Sequence, residues 1–358
     1  MSVWFDSVAA AEPYAVRLRL AGRRIGVARQ GPRDAFIRDE VIEGIVPDSG
    51  PVSVTTRVFD INEGQWNVDA AVVTSQNGAA RSRPHTLRAP SAVPVHPAAW
   101  SWPRWKLKVA PAGPVKTRLA PLTGFDRMPA VIAGSWTALV ALGVVIGFLF
   151  QGRLLPREHV DPGRVFLVSL MVVAAGSLGG KLWFIGLRRS LHGVWCDGMC
   201  IQGALVGAAV VMIAGLAVLH LPIGAVVDGT TPGLFLGIAV GRVGCFLTGC
   251  CAGRLSASRW ALWSSDRRVG ARRVPTQLLE SLSALVIGLA GLAVILHTTT
   301  ATSGALFVAS FAAYTLCRQL LLPLRAEGRK TSRGTTVTAV VAAVVLSASV
   351  AVLMIGVR

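Results

Sequence analysis

The sequence has few charged residues, and its C-terminal two thirds contain little acidic charge. Only 15% of its 358 residues are charged, against roughly 25% in an ordinary soluble domain, and 53% are hydrophobic. Residues 131–358 contain 19 basic and 7 acidic side chains, whereas residues 1–80 contain 8 and 10. The low charge excludes a wholly soluble protein. The basic excess lies beside and between apolar segments, which favours anionic lipid headgroups over nucleic acid as partners.

Cysteine is absent before position 196, and residues 1–30 contain no apolar run. The first absence excludes a disulfide-stapled N-terminal domain, and the second argues against a cleavable signal peptide. All six cysteines lie in or beside apolar segments. Their C-x3-C and C-x4-C-C spacings allow a zinc site, but small thiols packed between helices explain them more simply. We expect no metal and no cofactor.

The first 80 residues show the alternation of β-strands. Apolar and polar residues alternate at 14–20, 52–59 and 66–73, with glycine- and proline-rich turns between them. This pattern predicts a small N-terminal β-sandwich-like domain over residues 1–80. It contains no catalytic constellation, so we expect an interaction or spacer role.

Residues 81–130 contain 9 of the 19 prolines and 9 basic residues, which predicts an extended linker. Trp100, Trp102 and Trp105 lie among the basic residues of its second half. Tryptophan prefers the headgroup zone of a bilayer, so residues 100–108 also suit an interfacial anchor. We favour the anchor for this stretch.

Residues 131–358 form a membrane domain. Seven segments reach the roughly 20 apolar residues that a helix needs to cross a bilayer, namely 131–150, 165–187, 198–221, 231–252, 276–296, 302–324 and 335–357. The sequence therefore predicts a mainly α membrane protein, a seven-transmembrane-helix bundle. Small residues four apart, such as Gly203/Gly207 and Gly237/Gly241, indicate close helix packing.

Four ionisable side chains lie inside these segments, where each costs roughly 2.5–3.5 kcal/mol. Lys181 is near a segment end and can reach the interface. Arg242, Glu280 and Arg318 need another explanation, and Arg318 follows Tyr314 by one helical turn. One hypothesis is an ion-pair network that fixes helix register. The other is a phosphate pocket, because two guanidiniums and one carboxylate leave a positive charge that an anionic lipid would neutralise.

The surroundings of Arg242 are rich in glycine, which removes side-chain bulk and lets another group approach the backbone. The glycines are Gly241, Gly244, Gly249 and Gly253. Arg242, Cys245 and the last two glycines recur every three or four residues, which predicts that they line one helix face. An arginine-rich loop follows.

This region resembles the prolipoprotein diacylglyceryl transferase family, over about residues 160–325. The family signature G-G-R-I-G-N-F-I-N-G-E-x-x-G-R is similar to V-G-R-V-G-C-F-L-T-G-C-C-A-G-R at 240–254. The family motif H-P-S-Q-L-Y-E is similar to V-P-T-Q-L-L-E at 274–280. Tyr314 and Arg318 match the family's Tyr-x-x-x-Arg.

The resemblance implies a multi-pass enzyme of the plasma (inner) membrane. It would move the diacylglyceryl group of phosphatidylglycerol, or of another anionic phospholipid, to the lipobox cysteine of a preprolipoprotein. The implied catalytic residues are Arg242, Arg318, Glu280, Tyr314 and Gln202. The implied substrate-binding residues are Gly241, Gly244, Cys245, Gly249, Gly253, Arg254 and Gln277. We expect a monomer that binds no nucleic acid.

Departures from the family pattern bear on its acid–base chemistry. Gln202 stands where the family has a histidine, and glutamine cannot act as a general base near neutral pH. Cys245 and Cys250 replace the signature asparagine and glutamate. The alternative hypothesis is therefore a catalytically inactive relative that binds anionic lipid and acts as a membrane scaffold through its β domain.

Two arguments about membrane orientation conflict. The short loops on the N-terminal side contain 12 basic residues and those on the opposite side, with the C-terminus, contain 4, which places the N-terminus in the cytoplasm. The resemblance instead places the N-terminus and the loop after the signature outside. We favour the family orientation.

Overall fold

The computed structural model describes residues 1–73, 93–111, 113–117, 128–188, 200–297, 304–326 and 332–356. The chain forms two compact units, and each is assembled from separate stretches of sequence. The first comprises Met1–Leu139, Arg242–Glu280 and Leu321–Lys330. The second comprises Val140–Gly241, Ser281–Leu320 and Thr331–Arg358.

The first unit contains two antiparallel sheets. The six-stranded sheet has the order β7-β6-β1-β4-β10-β9, and the four-stranded sheet has the order β3-β2-β5-β8. The strands are β1 Ser2–Asp6, β2 Tyr14–Arg24, β3 Ala35–Ile45, β4 Pro51–Thr55, β5 Gln65–Val72, β6 His96–Ser101, β7 Lys106–Val109, β8 Val115–Lys116, β9 Leu262–Ser265 and β10 Val269–Arg273.

The two sheets share one hydrophobic core. Strand β2 shows why: its buried Val16, Leu18 and Leu20 alternate with arginines that point outward. They pack with Phe5 of β1 and Val52 of β4, which belong to the other sheet. This packing confirms the predicted β-sandwich-like fold.

The two sheets also contain strands formed by residues outside 1–80. Residues 96–109, which composition assigned to a linker or interfacial anchor, form the β6–β7 hairpin, and Val3 of β1 pairs with Pro97. The ring centroids of Trp100 and of Trp263 in β9 lie 4.6 Å apart. Packed aromatic side chains therefore give this segment a hydrophobic core, which its proline content did not predict. Residues 81–92, 112 and 118–127 of the expected linker lie outside the described residues.

Seven helices of the described chain are long and apolar enough to cross a membrane, which confirms the predicted multi-pass membrane protein. The helices are α1 Ser135–Leu154, α2 Pro162–Arg188, α3 Ile201–Val218, α4 Ile223–Thr248, α5 Thr276–His297, α6 Ala305–Leu321 and α7 Ser332–Gly356.

Glycines set the helix contacts of the second unit. A Cβ on Gly203 would overlap the carbonyl of Gly179 in α2, and one on Gly207 would lie 2.6 Å from the Ala175 carbonyl. A Cβ on Gly237 of α4 would lie 2.5 Å from a backbone carbonyl of α1. Helices in lipid gain contact area when small residues let their backbones approach, and the predicted small-residue pairs serve that purpose here.

Candidate active site

Helix α4 positions Arg242 near its C-terminus. The helix ends at Thr248, before the end of the predicted segment 231–252. Gly249 causes this early end, because its φ of +72° lies in the left-handed region that terminates helices. Gly249 and Gly253 therefore lie in the following loop, and the prediction that they share a helix face with Arg242 is wrong.

Glu280 lies in the second turn of α5, and its side chain is 1% exposed. Arg242 Nη2 lies 2.8 Å from Glu280 Oε2. Arg325 Nη2 is paired with the other oxygen, Glu280 Oε1. One buried carboxylate thus binds two guanidiniums. The Arg242–Glu280 contact fits the ion-pair network that was one of the two hypotheses from the sequence, and Arg325 is a further guanidinium on Glu280.

Sequence reasoning missed Arg325 because it counted this residue only as loop charge. Its side chain is 7% exposed, and among the described residues its Nε has no hydrogen-bond partner. A buried donor without an acceptor is costly, so this position suits an anion. Pro323 was the available signal, since proline after the Tyr-x-x-x-Arg motif ends the helix and leaves the next arginine beside its terminus.

The loop after α4 is held against the N-terminus of α5. Gln277 Nε2 donates to the carbonyl of Cys250 at 2.9 Å. A Cβ on Gly253 would overlap the carbonyl of Val274, so only glycine fits there. Gln277 and Gly253 were predicted to bind substrate. Within the first unit, both residues contact this chain's own backbone and fix the loop.

The remaining predicted binding residues contact the backbone or helix α1. The amide of Arg254 donates to the carbonyl of Leu324 at 2.8 Å, while the Arg254 side chain is exposed. In the first unit, a Cβ on Gly244 would lie 3.0 Å from Trp136 Cα. In the second unit, a Cβ on Gly241 would lie 3.5 Å from Val140 Cγ2, which is an ordinary van der Waals contact.

Three cysteines lie where α4 meets the loop, namely Cys245, Cys250 and Cys251, and Cys250 Sγ donates to the Cys245 carbonyl at 3.7 Å. Hydrogen bonds from the other two thiols lower the pKa of Cys251, and the charges of Arg325 and Arg242 lower it further. The same contacts and burial raise the pKa of Cys250.

No group of three His, Cys, Asp or Glu side chains in the described part of the chain is arranged to hold a metal ion. Cys196, which belongs to the C-x3-C pair, lies outside the described residues.

Another buried arginine, Arg273, binds the backbone of this loop. Arg273 of β10 donates to the Gly253 carbonyl at 3.0 Å and to Asp266 at 2.7 Å, and its side chain is 4% exposed. Burial lowers the pKa of Arg273, and Asp266 partly offsets this effect. No sequence pattern distinguishes Arg273 from the other five arginines of this loop. Only the pairing of β9 with β10 buries its side chain.

The second unit contains the other predicted catalytic residues. Tyr314 and Arg318 lie one turn apart on α6, and the Tyr314 ring meets Phe235 edge-on at 5.8 Å. Gln202 lies at the start of α3, where its Oε1 accepts a hydrogen bond from Cys200 Sγ at 3.4 Å. The structure thus brings Arg242 and Glu280 together in the first unit, and it places Gln202, Tyr314 and Arg318 in the second.

An apolar cavity of about 1720 Å³ lies within the second unit. Phe148, Met212 and Phe311 are among its lining residues. Polar groups are few there: Gln151 Nε2 donates to Ser169 and to Thr230, each at 2.8 Å. A cavity of this size and polarity suits hydrocarbon chains.

Known proteins of one family are similar in sequence to this chain. The family model for prolipoprotein diacylglyceryl transferase matches residues 130–355. A phosphatidylglycerol–prolipoprotein diacylglyceryl transferase of Dehalococcoides mccartyi is 31% identical over 164 residues, 42% of this chain and 62% of the relative. One of Thermosynechococcus vestitus is 28% identical over 133 residues, 35% of this chain and 50% of the relative.

A longer match involves a protein of the same name from Nostoc, which is 24% identical over 233 residues, 60% of this chain and 79% of the relative. In the two matches of higher identity, the chain spans only 50–62% of the relative's length. The N-terminal β strands precede the region that the family model matches. The family model itself covers more than half of the chain, and the chain therefore belongs to the prolipoprotein diacylglyceryl transferase family.

Proposed function

We propose that this protein transfers the diacylglyceryl group of phosphatidylglycerol to the thiol of a lipobox cysteine in a preprolipoprotein. A sulfur–carbon bond forms at the glyceryl carbon next to the phosphate, the carbon–oxygen bond to that phosphate breaks, and glycerol phosphate leaves. The observation that carries the proposal is the buried arrangement of Arg242 and Arg325 on Glu280.

The charges of this cluster favour an anionic substrate. Two guanidiniums share one carboxylate, so the three side chains leave one positive charge in a buried setting. The phosphodiester of phosphatidylglycerol carries one negative charge, and the departing phosphate gains more as the carbon–oxygen bond breaks. Fixed donors aimed at developing charge are the largest contribution in many transfer reactions. Arg242 and Arg325 would make that contribution, and Glu280 would position them.

Other residues take supporting roles in the proposal. Arg318 and Tyr314 retain the substrate contacts that the family resemblance implies, and Gln202 positions polar groups without moving a proton. Gly249, Gly253 and Gln277 shape the loop that carries the thiols. The apolar cavity would hold acyl chains, because its lining offers hydrocarbon contacts and its few polar groups bond to each other.

The protein would work as a monomer in the plasma (inner) membrane. We place the loop after α4 on the outer side, where a secreted preprolipoprotein arrives. Its six arginines would then collect anionic lipid at the surface.

The test uses the full chain in nanodiscs that contain phosphatidylglycerol, with a synthetic lipobox peptide as acceptor. Mass spectrometry should detect a diacylglyceryl mass shift on the peptide cysteine together with released glycerol phosphate. Arg242→Ala should lower the rate about 10²- to 10³-fold, the loss that follows removal of one donor to a developing oxyanion. Arg164→Ala should not change the rate, because Arg164 pairs with Asp161 at an exposed site.

Two results would contradict the proposal. The first is a wild-type protein that binds phosphatidylglycerol but leaves the peptide unmodified, which would favour a lipid-binding scaffold. The second is equal turnover by Arg242→Ala and wild type.

A further inference from the structure

The β6–β7 hairpin of the first unit carries exposed basic side chains that the proposed transfer does not use. Residues 96–109 contain Arg104, Lys106 and Lys108 and no acidic residue, and all three cations are exposed. On β7, the two lysines alternate with the buried Leu107, so both point to the same side of the strand. The hairpin therefore concentrates positive charge at its turn and on one face of β7.

The turn of this hairpin is aromatic. Trp102 is 43% exposed, although its ring meets the rings of Trp100 and Trp105 edge-on, with centroids 6.1 Å and 5.8 Å away. An exposed indole beside exposed cations suits the headgroup zone of a bilayer, where the ring contacts lipid and its N–H stays hydrated. We refer to four residues as the hairpin surface, namely Trp102, Arg104, Lys106 and Lys108.

Contacts within the first unit fix the conformation of the turn. Trp105 has a φ of +46°, a left-handed conformation that a residue with a Cβ adopts at a cost. Its indole N–H donates to the Trp263 carbonyl at 3.0 Å, and its backbone amide donates to the Trp102 carbonyl at 3.3 Å. The Trp105 ring also stacks on Phe246 of α4, with centroids 5.9 Å apart. These contacts hold the turn in place and leave Trp102 exposed.

The contact with Phe246 places the turn beside the end of a membrane-crossing helix. Phe246 lies in the last turn of α4, which ends at Thr248. Helix α1 begins at the same level, because the hydroxyl oxygens of Ser135 and Thr248 lie 2.7 Å apart. Leu107 of β7 packs in one cluster with Ala130, just before α1 begins. The hairpin therefore lies where two helices meet the surface of the membrane.

We propose that the hairpin surface binds the headgroups of anionic phospholipids in the membrane that the helices cross. The three cations pair with lipid phosphates, and Trp102 inserts between the headgroups. Charge complementarity selects this partner, because the hairpin has no acidic residue and basic side chains beside a spanning helix are attracted to anionic lipid. This binding requires no turnover, and it holds the β sheets of the first unit against the membrane.

The first experiment identifies what the turn touches. The full chain carries p-benzoylphenylalanine in place of Trp102 and is irradiated in nanodiscs that contain equal amounts of phosphatidylglycerol and phosphatidylcholine. Mass spectrometry of the peptide that contains position 102 then counts the adducts of each lipid. Adducts of phosphatidylglycerol should exceed those of phosphatidylcholine at least about threefold, because each basic residue near the membrane surface favours anionic lipid.

Charge variants of the same photoreactive protein test the basis of this preference. The combined variant Arg104→Gln, Lys106→Gln and Lys108→Gln should bring the ratio of the two adducts close to one. Lys106→Arg with Lys108→Arg should keep the original ratio, because the charges of both residues remain.

A second triple variant is the matched control, since it removes the same number of exposed cations from the four-stranded sheet and its first loop. Its substitutions are Arg23→Gln, Arg29→Gln and Arg33→Gln. The ratio of adducts at position 102 should stay as in the unmodified charge background. An equal fall in both triple variants would show that net charge, and not the hairpin surface, selects the lipid.

Salt separates the contribution of charge from that of the aromatic side chain. An increase from about 0.1 M to about 1 M shortens the screening length from roughly 10 Å to roughly 3 Å. The ratio of the two adducts should then fall toward one. The total number of lipid adducts should change little, because insertion of an aromatic ring does not depend on charge.

Three results would overturn the proposal: adducts at position 102 with protein segments and none with lipid, a ratio near one when all three cations are present, or the equal fall in both triple variants. None of these readouts involves a lipobox peptide. A failure of the hairpin surface to bind anionic lipid is therefore distinguishable from a failure of the transferase function.

Discussion

The two units of the molecule differ in the side chains that they enclose. The first buries charge: Glu280 binds Arg242 and Arg325, and Arg273 binds Asp266. The second surrounds a large cavity with apolar side chains and holds its helices together through glycine. The Arg242–Glu280–Arg325 and Arg273–Asp266 ion pairs and the large apolar cavity therefore lie in different parts of the chain.

The two units therefore depend on different energies. Charges buried in the first unit are tolerable only while each has its partner, so removal of one partner leaves another charge uncompensated. The second unit relies on backbone contact, because lipid is as apolar as a helix surface and provides no hydrophobic force between helices. The two kinds of unit should respond to different substitutions.

The largest effect should follow from Glu280→Gln. This change removes the one carboxylate shared by two buried guanidiniums, and breaking such a pair costs about 3–5 kcal/mol. The measurement is the thermal unfolding midpoint of the protein in nanodiscs. Anionic phosphatidylglycerol should restore part of the loss relative to neutral lipid, because it can neutralise the arginines.

Asp161→Asn is the matched control for that variant. Asp161 pairs with Arg164 at a site where both side chains are more than half exposed, so its loss should cost less than about 1 kcal/mol. Equal midpoints for the two variants would show that Glu280 does not compensate the buried arginines.

A smaller effect should follow from Gly203→Ala in the second unit. The added Cβ would overlap the Gly179 carbonyl and the Trp183 side chain, so α2 and α3 must separate, at about 1–3 kcal/mol. Gly186→Ala makes the same chemical change where nothing lies within 4 Å of the new Cβ. The unfolding midpoint should fall for Gly203→Ala and not for Gly186→Ala. A fall of equal size in both would show that the close helix contact at Gly203 is not what the added Cβ disturbs.

Much of the fold was predictable because the signals were local. Runs of about 20 apolar residues are long enough to specify a membrane helix, and period-two alternation specified β2 and β5. The pairing of β10 with β4 joins residues more than 200 positions apart, such as Val269 and Val54, and no local pattern encodes it. The hairpin at 96–109 was missed because its core consists of tryptophans that meet only after folding.

The residues of the candidate site also divide into those that a local sequence pattern predicted and those that it did not. Arg242 and Glu280 were predicted because a charge within an apolar run needs an explanation, and they do form a pair. Arg325 lies just beyond its helix, where an arginine is ordinary, so only the three-dimensional contact with Glu280 distinguishes it. The glycine spacing predicted that Gly249 and Gly253 share a helix face with Arg242. That prediction was wrong because the helix ends before Gly249, whose backbone is left-handed.

The smallest effect should follow from Asp34→Asn in the β sheets, and it should depend on pH. Asp34 accepts hydrogen bonds from Asn62 at 2.9 Å, from the Gly31 amide at 3.0 Å and from Arg24 at 3.1 Å, and these contacts lower its pKa. A lowered folded-state pKa adds stability above the unfolded value of roughly 3.9, and that stability is lost as the pH falls through the folded-state pKa.

Trp66 is a local reporter for this change, because its indole donates to the Asn62 carbonyl at 3.2 Å. The midpoint of Trp66 fluorescence on heating should be lower in Asp34→Asn than in wild type at pH 7, and the two should converge as the pH falls below the folded-state pKa of Asp34. Asp69→Asn on β5 is the control, because it makes the same exchange of a carboxylate for an amide at an exposed position. A difference that persists unchanged at low pH would mean that Asp34 acts through its shape and not through its charge. The loop would then depend on hydrogen bonds that an amide at this position does not reproduce, and buried charge in the first unit would matter only near Glu280 and Arg273.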